Sequence, residues 1–126
     1  MGPGSLFTSV LPNLLVPGIT QALREARARC VYVCNVATER GETDHFTMSD
    51  HVRALERHIG PGIIDVVLAN NQAYVQPEGV EVVLVEPCVA GSAVEVAQAD
   101  LADSAQPWRH DPHKLAAAVL KFARSA

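Results

Sequence analysis

Apolar positions recur along this chain at two alternating periods, one helical and one extended. Ser5 to about Leu11 reads as a short first helix, interrupted by Pro12 and Pro17. From Pro17 to Ala28, the residues Ile19, Ala22, Leu23 and Ala26 share one face at helical spacing, and Pro17 suits a first helical position. Val31 to Val36 is a nearly continuous apolar run, the mark of a strand covered on both faces. A polar connection from Ala37 to Phe46 leads to another helix. Thr47 or Ser49 can cap it, Val52, Leu55 and Ile59 form its stripe, and Gly60-Pro61-Gly62 stops it. Ile63 to Ala69 predicts a second buried strand, and Val80 to Val85 a third, after the turn Pro77-Glu78-Gly79. A further short strand is placed near Val94–Ala97. The last helix starts behind Asp111 and Pro112 and carries Leu115, Val119 and Phe122 on one face.

Strand, crossover helix and strand in succession predict an α/β fold with a mostly parallel sheet. In such sheets ligands sit beyond the carboxyl ends of the strands. That rule singles out Asn35–Phe46, Asn70–Val75 and Glu86–Ser92, each directly after a predicted strand. Gly2–Ser5 joins them as a glycine-rich turn opening into a helix, a device that holds phosphate through free backbone N–H groups. Thr8 and Ser9 would add hydroxyl donors. No strand precedes this turn, so it is either a phosphate loop cut off from its support or a plain N-terminus.

Composition narrows the function. The 126 residues are 48% hydrophobic, enough for the core of one domain, and carry a net charge of −4. That charge argues against a nucleic-acid partner. Arg24, Arg27 and Arg29 read as charge at a helix carboxyl end. No apolar stretch reaches the roughly 18 residues of a membrane span, and no secretory pattern opens the chain, so a cytoplasmic location is expected. Cys30, Cys34 and Cys88 lack the spacing of a disulfide framework or zinc site and are expected as buried free thiols.

The polar motifs leave alternatives open. Asn35 ends a strand, where its amide can meet a ligand or satisfy nearby backbone. Glu42 and Thr43 can bind sugar hydroxyls or simply cap a turn. Asp50 and His51 read as a helix cap and a surface histidine, and His51 and His58 lie too far apart for one tight metal site. Arg109 stands just before a capped helix, against the dipole. An anion between it and the helix start would explain it, either a ligand phosphate or Asp111 itself. No nucleophile–base set and no paired carboxylates for Mg²⁺ emerge, so no catalytic residue, metal or cofactor is assigned.

Four segments together resemble the carboxyl-terminal half of the gluconeogenesis factor family. They are Gly2–Ile19 (GPGSLFTSVLPNLLVPGI), Val31–Leu55 (VYVCNVATERGETDHFTMSDHVRAL), Ile63–Asn71 (IIDVVLANN) and Trp108–Ala116 (WRHDPHKLA). That family is the regulatory branch of the 2-phospho-L-lactate transferase-like superfamily. The resemblance implies a Rossmann-like three-layer fold and binding of UDP-sugars or other phosphorylated small molecules. It also implies influence on carbon metabolism, cell-wall synthesis and cell shape. The transferase branch moves a phospholactyl group onto a deazaflavin, using metal-binding acids of its amino-terminal half. Carried over by motif, Gly2, Gly4 and Ser5 match the glycine-rich loop, with Thr8 beside it. Asn35, Gly41, Glu42 and Thr43 match a second ligand-side loop, and Asn70 and Asn71 a third. Arg109 matches the arginine of the terminal Arg-His-Asp motif, placed to grip a diphosphate.

The chain departs from the family where Met-Thr-Gln-Pro is usual and Ala37-Thr38-Glu39-Arg40 stands instead. The family's amino-terminal half has no counterpart, so residues 1–126 are expected as the carboxyl-terminal portion of a larger nucleotide-sugar-binding domain. Buried-type strands with bare edges predict that the chain by itself is marginal, homo-oligomeric, or stable only beside that half. A transferase of the 2-phospho-L-lactate transferase type and a truncated, non-binding remnant are the alternatives.

Overall fold

The computed structural model describes residues 1–124. A π-helical turn, Leu6–Val10, continues into α1, Leu11–Leu14, and α2 follows at Pro17–Glu25. Then come β1 (Val31–Val33), α3 (Met48–Ile59), β2 (Val66–Asn70), β3 (Glu95–Ala99) and α4 (Pro112–Arg124). The three strands form one parallel sheet in the order β1-β2-β3, with Tyr32 beside Val67 and Val67 beside Val96.

Strand alternation sorts the side chains onto two faces. Tyr32, Val67 and Ala69 join the larger core with Leu6, Leu11, Met48, Val52 and Leu55. Val33 and Leu68 face the other way and pack with Leu101, Ala118, Leu115 and Phe122. Helices therefore cover both faces of β2, whose five residues are all buried, and the expected three-layer α/β fold is the observed one.

α3 is the best-specified element. Thr47 Oγ1 accepts from the Asp50 amide, and the Asp50 carboxylate accepts from the Thr47 amide at 2.9 Å. This reciprocal capping box fixes the helix start. Gly60, at φ +78°, ends it and donates its amide to the Glu56 carbonyl at 2.8 Å. Arg24, at the end of α2, donates to the Ile59 carbonyl and so satisfies an orphan acceptor of the α3 terminus. Arg29 pairs with Glu95 and lies over the Phe122 ring.

Three expectations are corrected. Val80–Val85 is not a strand of the sheet: it runs extended, with one antiparallel bridge between Val82 and Ala37. The third strand is Glu95–Ala99, close to the stretch placed near Val94–Ala97. β3 prevails because its backbone runs in register with β2 over five residues. His51 is not a surface residue but fully buried. Of the three thiols only Cys34 is buried, where burial pushes it up to about 12; Cys30 is half-buried and Cys88 exposed.

Candidate functional site

The first residue supplies the support that the glycine turn lacked in the sequence. The Met1 ammonium donates to the Val31 carbonyl, and the Met1 carbonyl accepts from the Val33 amide at 2.8 Å. Residue 1 thus runs beside β1 and delivers the turn to the strand's carboxyl end. Gly2 has φ +74°, and a Cβ there would stand 2.9 Å from the Val33 carbonyl oxygen. A side chain at this position would lift the turn off the sheet. The chain then enters the π-helical turn, where the Val10 amide bonds the Ser5 carbonyl at 2.9 Å.

Beyond the end of β1 lies a cleft of about 940 Å³. Gly4 and Ser5 of the glycine turn line it, with Asn35 from the end of β1 and Arg109 from the turn before α4. These segments are far apart in sequence, and the parallel sheet gathers them at one rim. His110 fixes the Arg109 turn there: its Nε2 bonds the Cys34 carbonyl at 3.2 Å, just past β1. Burial holds the His110 pKa below its ordinary value, and the carbonyl offsets part of that shift.

A second loop is tied to the first by one short bond, as Ser5 Oγ donates to Glu42 Oε2 at 2.8 Å. Thr38, Glu39 and Arg40 of this loop also line the cleft, together with Gly79, Val80 and Glu81 of the connection between β2 and β3. That connection is strapped down by backbone bonds from Thr38 to Glu81 (2.8 Å), Val83 to Val36 (2.9 Å) and Met48 to Leu84 (2.8 Å). The Glu81 carboxylate accepts from the His45 amide at 3.0 Å and from Thr38 Oγ1 at 3.2 Å, and bonds His45 Nδ1 at 2.9 Å. These contacts hold the Glu81 pKa below its ordinary value and raise that of His45.

The remaining residues singled out in the sequence fall outside the cleft lining. Gly2 supports the turn from the sheet side. Thr8 is exposed on the π-helical turn. The Gly41 amide donates to Asp44 Oδ2 at 2.6 Å. Thr43 is buried, and its Oγ1 accepts from the Glu39 amide at 2.7 Å, so it shapes the loop from within. Asn70 is likewise committed inside the fold. Its Oδ1 accepts from the amides of Leu101 (3.0 Å) and Ala102 (3.2 Å), and its Nδ2 donates to the Gln72 carbonyl at 2.8 Å. The Asn71 side chain is exposed. Glu86–Ser92 is no strand-end loop, because Val80–Val85 is no sheet strand. Sequence reasoning placed Thr38 in the Asn35–Phe46 loop without a role of its own, and left Glu81 and His110 out of the site. Glu81 had no signal, and His110 sat unused in the Arg-His-Asp motif.

The two explanations for Arg109 now separate. Asp111 Oδ1 caps α4 by accepting from the amides of His113 (2.8 Å) and Lys114 (3.0 Å). Arg109 instead donates to the neutral Gln106 Oε1 at 3.1 Å and forms no ion pair among the described residues. Its charge is thus left facing the cleft it lines. Among the described residues no group of three or more His, Cys, Asp or Glu side chains is placed to hold a metal ion. No helix among them is long and apolar enough to cross a membrane.

The sheet and the rim cleft define an α/β protein whose concave surface is built from loops at the carboxyl ends of parallel strands. The family profile described as 2-phospho-L-lactate transferase CofD matches residues 1–124, and the chain belongs to that family. Within it, the gluconeogenesis factor of Halalkalibacterium halodurans is 57% identical over 72 residues, which is 57% of this chain and 22% of that protein. The gluconeogenesis factor of Bacillus subtilis is 56% identical over 72 residues, 57% of this chain and 23% of that protein. A crystal structure of a UPF0052 family member from Bacillus halodurans matches with TM-score 0.85 and 41% identity, covering 95% of this chain and 41% of that one. The chain therefore spans less than half the length of these relatives.

Proposed function

We propose that this chain forms one wall of a nucleotide-sugar site in a regulatory protein of the gluconeogenesis factor type. The reading rests on one observation: Gly4, Ser5, Asn35 and Arg109 meet in a single cleft, and the Arg109 guanidinium there lacks a carboxylate partner among the described residues. A planar guanidinium grips a phosphate through paired hydrogen bonds. Glycine backbone brings amide groups close to the same anion. Asn35 presents both a donor and an acceptor to a sugar or base edge. A cleft of about 940 Å³ lies in the size range of small-molecule sites. On this reading a UDP-sugar is the ligand, and binding reports nucleotide-sugar supply to carbon metabolism, cell-wall synthesis and cell shape.

Calorimetric titration of the protein at its natural length with UDP-N-acetylglucosamine tests this. Saturable binding is expected, and Arg109→Ala should weaken it by roughly tenfold or more, the scale of one lost charge-assisted contact. No binding of any UDP-sugar, or full affinity in the Arg109→Ala protein, would overturn the assignment. The transferase description of the family supports a second reading, phospholactyl transfer. Turnover of a phospholactyl donor by the same preparation would establish it in place of the regulatory one.

A further inference from the structure

The cleft holds a second guanidinium. Arg40 lines it from the loop between β1 and α3, where its side chain is exposed. Like Arg109, it forms no ion pair among the described residues. The arginines that hold the fold behave differently. Arg24 is bonded to the end of α3, Arg29 to Glu95, and Arg53 lies 3.7 Å from Asp50.

The acids around the cleft do not neutralise this pair. Glu81 is taken by His45 and Thr38, Asp44 by the Gly41 amide, and Glu42 by Ser5. Among the described residues Glu39 is left as the one carboxylate lining the cleft without a hydrogen bond, against two guanidiniums without an ion pair. The two cations are also carried by different segments of the cleft wall. Arg109 stands next to His110, whose ring bonds the Cys34 carbonyl just past β1. Arg40 belongs to the loop that is tied to the Gly79–Glu81 strap through His45 and Glu81. Two guanidiniums carried by separate segments suit a ligand with two anionic groups.

We propose that Arg40 is a specificity residue that makes this cleft select a nucleotide sugar carrying a carboxylate on its sugar, with the diphosphate at Arg109 and the sugar acid at Arg40. The inference rests on the nucleotide-sugar reading above and deepens it. Guanidinium and carboxylate form a planar two-bond pair that a neutral hydroxymethyl group cannot replace.

UDP-glucuronate and UDP-glucose differ only at the sugar C6, a carboxylate in one and a hydroxymethyl in the other, and make the matched probes. Calorimetry on the natural-length protein should give a preference of roughly tenfold for UDP-glucuronate, the scale of one charge-assisted contact at an exposed rim. Arg40→Gln should bring the ratio to about one through loss of UDP-glucuronate affinity. Arg40→Lys should keep part of the preference, since it retains the charge without the fork. Arg109→Ala should weaken both ligands alike. Arg40 is exposed, so unaltered thermal melting of its variants will show that the ratios report binding and not folding. Equal affinity of the wild type for the two probes, or a preference that survives Arg40→Gln, would overturn the role of Arg40 while leaving the nucleotide-sugar reading intact. Absence of binding by both probes in a protein that binds UDP-N-acetylglucosamine would overturn the role of Arg40 alone, and absence of binding by all three would overturn the two together.

Discussion

α2 and α3 are both amphipathic helices, yet they end in opposite situations. α3 buries Met48, Ser49, His51, Val52, Ala54, Leu55 and Ile59 against the sheet and the α1 region. α2 buries none of its residues, and Ile19, on the apolar face read from its sequence, stays 41% exposed, as do Leu15 (55%) and Val16 (49%) just before it. An apolar stripe states that a helix face seeks cover; it does not state where the cover comes from. α3 finds its cover within residues 1–124, while α2 is held here by Leu23, partly buried against the core, by Arg24, and by Thr20, whose hydroxyl donates to the Leu14 carbonyl.

That contrast can be broken at several points, beginning with the strongest. Leu55 is fully buried at the centre of the α3 face. Leu55→Ala removes its packing and leaves a cavity, so urea unfolding should show a loss of about 2–5 kcal/mol. A loss under 1 kcal/mol would mean that this core is loosely packed.

Acid should act on the same face through His51. Its Nδ1 bonds the Thr47 carbonyl at 2.8 Å, its ring packs edge-on against Phe46, and its buried Nε2 has no hydrogen-bond partner among the described residues. Burial holds its pKa below the ordinary 6.5, with Thr47 and the neighbouring Asp50 carboxylate opposing the shift. A folded-state pKa below the unfolded value means that the unfolded chain takes up the proton first. The stability contribution is therefore complete above about pH 6.5 and declines as the pH falls below it. His110 acts in the same direction, whereas solvent-exposed His45, raised by Glu81, acts in the opposite one. Urea midpoints from pH 8 down to pH 5 should fall, and the fall should flatten in His51→Gln. A midpoint that rises toward pH 5 would contradict this.

The smallest effect belongs to the uncovered helix. Ile19→Gln should change stability by less than about 0.5 kcal/mol, as expected of a surface site. A loss of 2 kcal/mol or more would mean that the α2 face is covered in solution, by another copy or by further protein.

The sequence was most readable where short-range chemistry decides the outcome. Thr47 and Gly60 announce both ends of α3, and Asp111 with Pro112 announces α4, because a cap acts within a few residues of itself. β3 was harder, since Glu95-Val96-Ala97-Gln98-Ala99 has weak apolar content and forms by register against β2. Val80–Val85 misled for the converse reason. It is richly apolar, but Val83 is buried while Leu84 is 68% exposed, and its backbone bonds go to loops instead of the sheet. In the cleft, the motif positions Gly4, Ser5, Asn35 and Arg109 were all visible as strand-end or helix-start residues. Asn70 and Thr43 carry equally polar side chains in equally suitable loops. Only the fold reveals that backbone amides claim them: those of Leu101 and Ala102, distant in sequence, for Asn70, and that of Glu39 within the same loop for Thr43.

The path from β2 to β3 has no crossover helix among its residues; it is an irregular stretch whose middle, Gly79–Glu81, closes one side of the cleft. Its course is anchored at Thr38, Val36 and Met48, and Gly79 and Val80 lie outside those anchors. Adding or removing residues there would change the span of the opening while leaving the register of every strand alone. One tether thus sets the width of the cleft independently of the platform beneath.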